Sequence, residues 1–211
     1  MNEAAHREQI CLLAKSLFDR GFTVGSSGNI SVRTDDGNWL MTPTNSCLGR
    51  LDPARLSMVD AEGKLLSGDE PTKESFLHMS MYAQRPQAGA VVHLHSTHSV
   101  AVSMLGNIDT ETPIPPITAY YVMKIGRLKL LPYYAPGDVS LANAVREVAD
   151  KHHAILLANH GPIVAGKTLE AAVYASEELE ETAKLFLLLR GNKITVLDTA
   201  QVAELQAKWP S

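Results

Sequence analysis

Two short apolar runs of this chain end in histidine, and that placement narrows the fold more than any other feature. "AGAVVHLHS" (88–96) carries His93 and His95, and "AILLANHG" (154–161) carries His160. Apolar runs of this length, bounded by turn residues, read as buried strands. Side chains alternate faces along a strand, so His93 and His95 point the same way and Leu94 the opposite way. Burying two imidazoles side by side costs free energy unless both are bonded.

The rest of the chain supplies helices around such strands. Residues 3–20 place Ile10, Leu13, Ala14, Leu17 and Phe18 at helical spacing, with Gly21 as the stop. "NISVR" reads as a strand, and "GNWLMTP" as a second one after the "DDGN" turn. Short apolar pieces alternate with turns across 51–71. A helix is expected over 72–84, another at "THSVAVSML", and another at "DVSLANAVREVADKH", capped by Asp138 or Ser140. Residues 107–119 form a proline-rich connection. A long amphipathic helix spans 168–190, from the Thr168 cap to Gly191, and "TAQVAELQAKW" forms a last short one. No repeat, linker or low-complexity tract divides residues 1–211. Helices before, between and after short strands imply one α/β sandwich domain with helices on both faces.

Two histidines two residues apart on one strand face can share a divalent ion at about 2.0–2.1 Å per bond. His160 is placed to complete the set, because ligands gather at strand ends in α/β sheets. Glu74 is the favoured acidic partner, since it opens a predicted helix near a turn. A lone histidine at a strand end is ordinarily only a polar terminus, so it is the pair that carries the metal reading. His78, at i+4 from Glu74, is a rival ligand, for which partial exposure is the simpler account. His98 is expected to cap or line the next helix. His6, His152 and His153 are expected at the surface. Histidine-rich ligation suits Zn²⁺ and is open to Mn²⁺, Co²⁺ or iron.

Three polar loops point to an anion. "SSGN" (26–29), "TPTNS" (42–46) and "PTKE" (71–74) combine small hydroxyl residues, glycine and helix-start amides, the elements of a phosphate cradle. Any one of them alone is ordinary turn chemistry. Together with the histidines they favour a phosphorylated substrate.

Bulk properties exclude other classes. The formal net charge is −4 and no Lys/Arg run is present, which argues against nucleic acid. No apolar stretch reaches the roughly 18 residues of a membrane span. "MNEAAHREQI" lacks the apolar core of a signal peptide, and the two cysteines, Cys11 and Cys47, read as free thiols. A cytoplasmic protein is expected.

"SSGNIS", "TPT", "PTKE", "AVVHLHSTH" and "LLANHG", in that order and spacing, resemble the class II (zinc-dependent) aldolase and adducin head family over roughly residues 5–190. Further stretches, "MTPTNSCLGRLDP", "GDEPTKE", "PYYAPGD" and "LLANHGPIVAGK", look most like the members that decarboxylate 3-oxo-tetronate 4-phosphates. The resemblance implies a three-layer α/β/α sandwich around a mostly antiparallel sheet. It implies a homotetramer with sites between subunits and one zinc per chain held by His93, His95, His160 and Glu74. Glu74 is also the implied proton acceptor. Gly28, Asn29, Thr44, Asn45, Thr72 and Lys73 are implied at or near the phosphate. A tyrosine reaching a neighbouring subunit's site matches Tyr120 or Tyr121, and spacing to Gly126 favours Tyr120.

Two departures stand out. Relatives often have glycine where this chain has Asn45, and the aldolase has serine where this chain has Lys73. A cation there suits a substrate with an extra carboxylate. The implied activity is conversion of a 3-oxo-tetronate 4-phosphate to dihydroxyacetone phosphate and CO₂ through an enediolate stabilised by the metal. A fuculose-phosphate type aldolase or a ribulose-phosphate 4-epimerase is the alternative on the same site. A non-catalytic module would not need all four ligands, and the chain is short for a (β/α)₈ metallohydrolase.

Overall fold

The computed structural model describes residues 2–135 and 137–209. Its strands are β1 (Asn29–Arg33), β2 (Trp39–Met41), β3 (Ser57–Val59), β4 (Leu65–Ser67), β5 (Ala90–His93), β6 (Leu128–Leu131), β7 (Ala154–Leu157) and β8 (Gly161–Gly166). They make one sheet in the order β4-β3-β2-β1-β5-β8-β7-β6. Only β6 and β7 run parallel; every other neighbouring pair is antiparallel. The helices are α1 (Glu3–Asp19), α2 (Ser75–Gln84), α3 (Thr97–Ser103), α4 (Ala119–Lys124), α5 (Ser140–Ala149), α6 (Leu169–Leu189) and α7 (Thr199–Lys208).

Strand alternation builds the three layers. Ala90 and Val92 of β5 pack with Ile10 and Leu17 of α1 and Val173 of α6. Val91 points to the other face, among Leu77 and Met81 of α2 and Val145 of α5. β2 has three residues, of which Leu40 and Met41 are fully buried. Burying a side chain of that size contributes about 1.5–3 kcal/mol. Packing, more than strand propensity, therefore holds such short strands.

Most expected elements are present, and the differences have local causes. The run at 154–161 does not extend to Gly161. It stops at Leu157, turns through Asn159 at φ 58°, and returns as β8, so His160 sits in a hairpin turn. "GPIVAG" opens with Gly-Pro, which masks it as a strand in sequence. Residues 120–137, unassigned from sequence, contain most of α4 and all of β6. Asp138 serves the start of α5 one position before the cap itself: its Oδ1 accepts from the Ser140 backbone N–H and hydroxyl at 2.9 and 2.6 Å. Thr168 caps α6 by accepting from the Ala171 N–H, as expected. Among the described residues no helix is long and apolar enough to cross a membrane.

Candidate metal centre

β5 delivers the first of the four candidate donors, His93. The His93 Nδ1–H donates to the Pro162 carbonyl on β8 at 2.9 Å, which leaves the lone pair on Nε2. The same carbonyl accepts the Leu94 N–H at 3.1 Å, so alternation continues past the end of β5 and His95 returns to the face of His93. The hairpin turn brings in His160. Gly161 has φ 150°, and a Cβ there would lie 2.1 Å from the Leu94 carbonyl oxygen. Only glycine lets this turn press against the His-x-His segment. Glu74 is the N-cap residue of α2, and its side chain makes no capping bond.

These four side chains converge. His93 Nε2 lies 3.1 Å from His95 Nε2 and 3.3 Å from His160 Nε2. Glu74 Oε1 is 3.1 Å from His160 Nε2, and Oε2 is 3.5 Å from His93 Nε2. All four donor atoms fall within 4.8 Å of one another. The rings meet edge to face, with centroids 5.0, 4.8 and 4.7 Å apart, so it is nitrogens that meet at the centre. Donors bonded tetrahedrally to one ion at about 2.0–2.1 Å lie about 3.4 Å apart. The observed spacings match that figure, and the lone pair of His93 has no proton to share with its neighbours. The residues fit a small divalent cation.

The electrostatics agree. Burial pushes the His93 imidazole down to about 3, against the pull of Glu74 and with the help of His95 and His160. Burial and His160 also lower His95. Both are therefore neutral at pH 7, the form that ligates. Burial alone would raise the Glu74 carboxyl. The His160 hydrogen bond, the field of His93 and the Asn29 amide outweigh it and hold the group below the usual carboxylate range.

The centre opens into a cleft of about 670 Å³. Gly28, Asn29, Thr44, Asn45, Thr72 and Lys73 all line it beside Glu74, His95 and His160. The loops are tied together: the Thr44 N–H donates to the Glu70 carbonyl at 2.9 Å, and the Thr72 N–H to the Thr42 carbonyl at 3.2 Å. Thr72 Oγ1 accepts the Glu74 N–H at 3.2 Å and so sets the start of α2. Asn45 sits at φ 56°, the region that glycine favours and asparagine tolerates. Asparagine at this position therefore adopts a backbone conformation that glycine would also take. Lys73 is exposed and has no acidic partner among the described residues. Asn29 has a second part not expected from the sequence: while lining the cleft, its side chain bonds Glu74 and His78.

Tyr133, Tyr134, Gly137 and Asn159 also line the cleft and were not singled out as site residues from the sequence. "PYYAPGD" follows β6, and β6 lies against β7, so the segment lands beside the His160 turn. Tyr120 is 63% exposed and lies outside its own chain's cleft. Tyr121 is 3% exposed, with its hydroxyl donating to the Ile114 carbonyl at 3.3 Å, and burial raises the phenol.

Other histidines depart from expectation. His78 is fully buried, not partly exposed, because α2 lays it against β1. His153 is half-buried, not a surface residue, with ring nitrogens 3.0 Å from the Ala165 carbonyl and 3.1 Å from that of Ile125. His6 and His152 are half-buried as well. His98 lies in the first turn of α3 but does not cap it; Glu180 of α6 does, with its Oε1 accepting from the His98 backbone N–H and Nδ1 at 2.8 Å.

Residues 8–187 match the model of the Class II Aldolase and Adducin N-terminal domain. The chain belongs to the class II aldolase family. Among its relatives, the 3-oxo-tetronate 4-phosphate decarboxylase of Escherichia coli O6:H1 is 49% identical over 205 residues, covering 97% of both proteins. The L-fuculose phosphate aldolase of Haemophilus influenzae is 33% identical, over 99% of this chain and 95% of that one. The crystal structure of YgbL from Escherichia coli superposes with a TM-score of 0.95 at 48% identity, covering 97% of this chain and 99% of the other. This member of the class II aldolase family thus shares the fold of a solved relative.

Proposed function

We propose that this chain is a metal-dependent carboxy-lyase that converts a 3-oxo-tetronate 4-phosphate to dihydroxyacetone phosphate and CO₂. The observation that carries this reading is the full-length similarity to decarboxylases so named, joined to a His₃Glu cluster whose Glu74, His95 and His160 line one cleft with Lys73. His93, His95, His160 and Glu74 would hold the ion, and the nitrogen-rich set suits zinc, with manganese or cobalt as substitutes. When bound, the ion supplies Lewis-acid stabilisation of negative charge on substrate oxygen.

The chain's own groups do the rest. Gly28, Thr44, Asn45 and Thr72 offer amides and hydroxyls to the phosphate, and Lys73 offers a cation to the anionic substrate. Cleavage of the bond to the carboxylate releases CO₂ and leaves its electron pair delocalised onto the ketone oxygen, as an enediolate. A proton then adds at that carbon. Glu74 stands at the reacting centre as the proton-handling group, with Tyr120 of a neighbouring subunit as the second. That role for Tyr120 requires an assembly, and a homotetramer with sites between subunits provides one. Exposure of Tyr120 and burial of Tyr121 support the assignment. The reading includes a cytoplasmic location.

The test is a product assay. Zinc-loaded protein is incubated with a 3-oxo-tetronate 4-phosphate, and CO₂ and dihydroxyacetone phosphate are followed together. Equal yields of both are expected. Neither product, with condensation of dihydroxyacetone phosphate onto an aldehyde instead, would overturn the proposal in favour of an aldolase.

A further inference from the structure

Beneath the metal centre a line of buried polar side chains runs down from Glu74, and its other members take no part in ligation. α2 contributes Glu74, His78 and Tyr82, spaced four apart on one helix face. β1 contributes Asn29 and Ser31, spaced two apart on one strand face and paired with His93 and Val91. The two sets interdigitate. Tyr82 Oη lies 2.9 Å from Ser31 Oγ, and Ser31 Oγ lies 2.7 Å from His78 Nδ1. His78 Nε2 lies 2.5 Å from Asn29 Oδ1, and Asn29 Nδ2 donates to Glu74 Oε2 at 2.7 Å. His78 and Ser31 are fully buried, and Tyr82 and Asn29 nearly so.

The direction of every bond in this line is forced. The Glu74 carboxylate accepts only, so Asn29 must present its NH₂ to it and its carbonyl to His78. His78 must then donate from Nε2, which makes Nδ1 the acceptor of the Ser31 hydroxyl. Ser31 in turn accepts from the Tyr82 phenol. Along the line each bond fixes the roles of the next, and a buried network of this kind specifies one geometry only when it is fully satisfied. Without the His78 donor, the Asn29 amide is free to turn over. Its carbonyl would then face Glu74 Oε2, oxygen against oxygen.

We propose that His78 is a positioning residue of the metal centre: acting through Asn29, it fixes the Glu74 carboxylate in its ligating orientation. The inference rests on the metal-dependent reading above. Its tests do not use the substrate, so failure here and failure of the decarboxylase assay are distinguishable.

The first measurement needs no variant. Side-chain ¹⁵N NMR of the zinc-loaded protein at pH 7 is expected to show His78 neutral and protonated on Nε2. Protonation on Nδ1 instead would overturn the proposal. The second is zinc affinity by chelator competition, with thermal stability recorded alongside. His78→Phe is expected to weaken zinc binding by about tenfold to a hundredfold, the range for lost outer partners of metal ligands. His78→Gln, which keeps a donor toward Asn29, is expected to recover most of that loss. In an Asn29→Ala background, His78→Phe is expected to cause no further loss of affinity. A fall in thermal stability with zinc affinity unchanged, or full additivity with Asn29→Ala, would reduce His78 to a packing residue and overturn the inference.

Discussion

His95 brings its Nε2 to 3.1 Å from the Nε2 of His93 in the four-residue cluster, so its removal is the direct test of the centre. His95→Ala is expected to abolish stoichiometric zinc, read as metal per chain after dialysis; one retained ion per chain would refute the assignment. Lys73 is the exposed cation of the cleft. A charge-assisted bond to the substrate is worth about 1.5–3 kcal/mol, so Lys73→Ala should lower kcat/KM for the acid substrate by about ten- to a hundredfold. Unchanged kinetics would remove Lys73 from the site. The buried imidazoles also set a pH dependence. Burial holds His78 at about 4, below its ordinary 6.5, with Glu74 opposing. The unfolded chain takes up a proton below 6.5, while the folded His78 stays neutral until about 4. Stability is therefore full above that window and falls as pH drops through it. His93, pushed to about 3 by burial, acts with the same sign. Urea unfolding of the metal-free protein should show a midpoint that falls steadily from pH 6.5 toward pH 4; a flat profile would contradict neutral, buried histidines.

At the scale of elements, the site is made where three connections end together: the exit of β5, the β7–β8 hairpin and the start of α2. Gly161 joins two of them, since its missing Cβ is what allows Leu94 and the hairpin to touch. Gly161→Ala is expected to cost about 1–3 kcal/mol from the backbone conformation alone, with the clash adding to it. Zinc affinity should fall in parallel because His160 is displaced. Wild-type stability by urea titration together with intact zinc binding would show that the hairpin is not set by this contact. Glu74 is held at both ends: Thr72 fixes its amide at the N-cap of α2, and Asn29 fixes the carboxylate.

For the whole molecule, the open question of chemistry becomes one of assembly. Tyr120 is exposed on α4 and outside its own cleft, so it can meet substrate only across a subunit boundary. Analytical ultracentrifugation is expected to give four chains per particle. Tyr120→Phe should lower kcat by about a hundredfold, as for loss of a general acid or base, with zinc content unchanged. Mixing Tyr120→Phe chains with His95→Ala chains should restore part of the activity, because a hybrid boundary reunites an intact tyrosine with an intact centre. No recovery from demonstrably mixed tetramers would place the tyrosine's role within its own chain.

The sequence by itself determined which four side chains form the His₃Glu cluster, which polar loops line the cleft, and the long helices. These are local signals: period-two alternation places His93 with His95, and Thr168 and Gly191 delimit α6 by capping chemistry. The family motifs carried the sheet class and the family. What only the tertiary structure decided depends on contacts distant in the chain. β6 and β8 are strands because β7 pairs with both, and neither has a strong strand pattern of its own. Tyr133 and Tyr134 reach the cleft because β6 ends beside the His160 turn. His78 reads as a half-exposed helix residue in sequence, since i+4 spacing reports a helix face but not what covers it. β1, far away in sequence, covers it and makes Asn29, which also lines the cleft, the link between His78 and Glu74. Spacing along one element fixes which side chains share a face; which faces meet is fixed by packing.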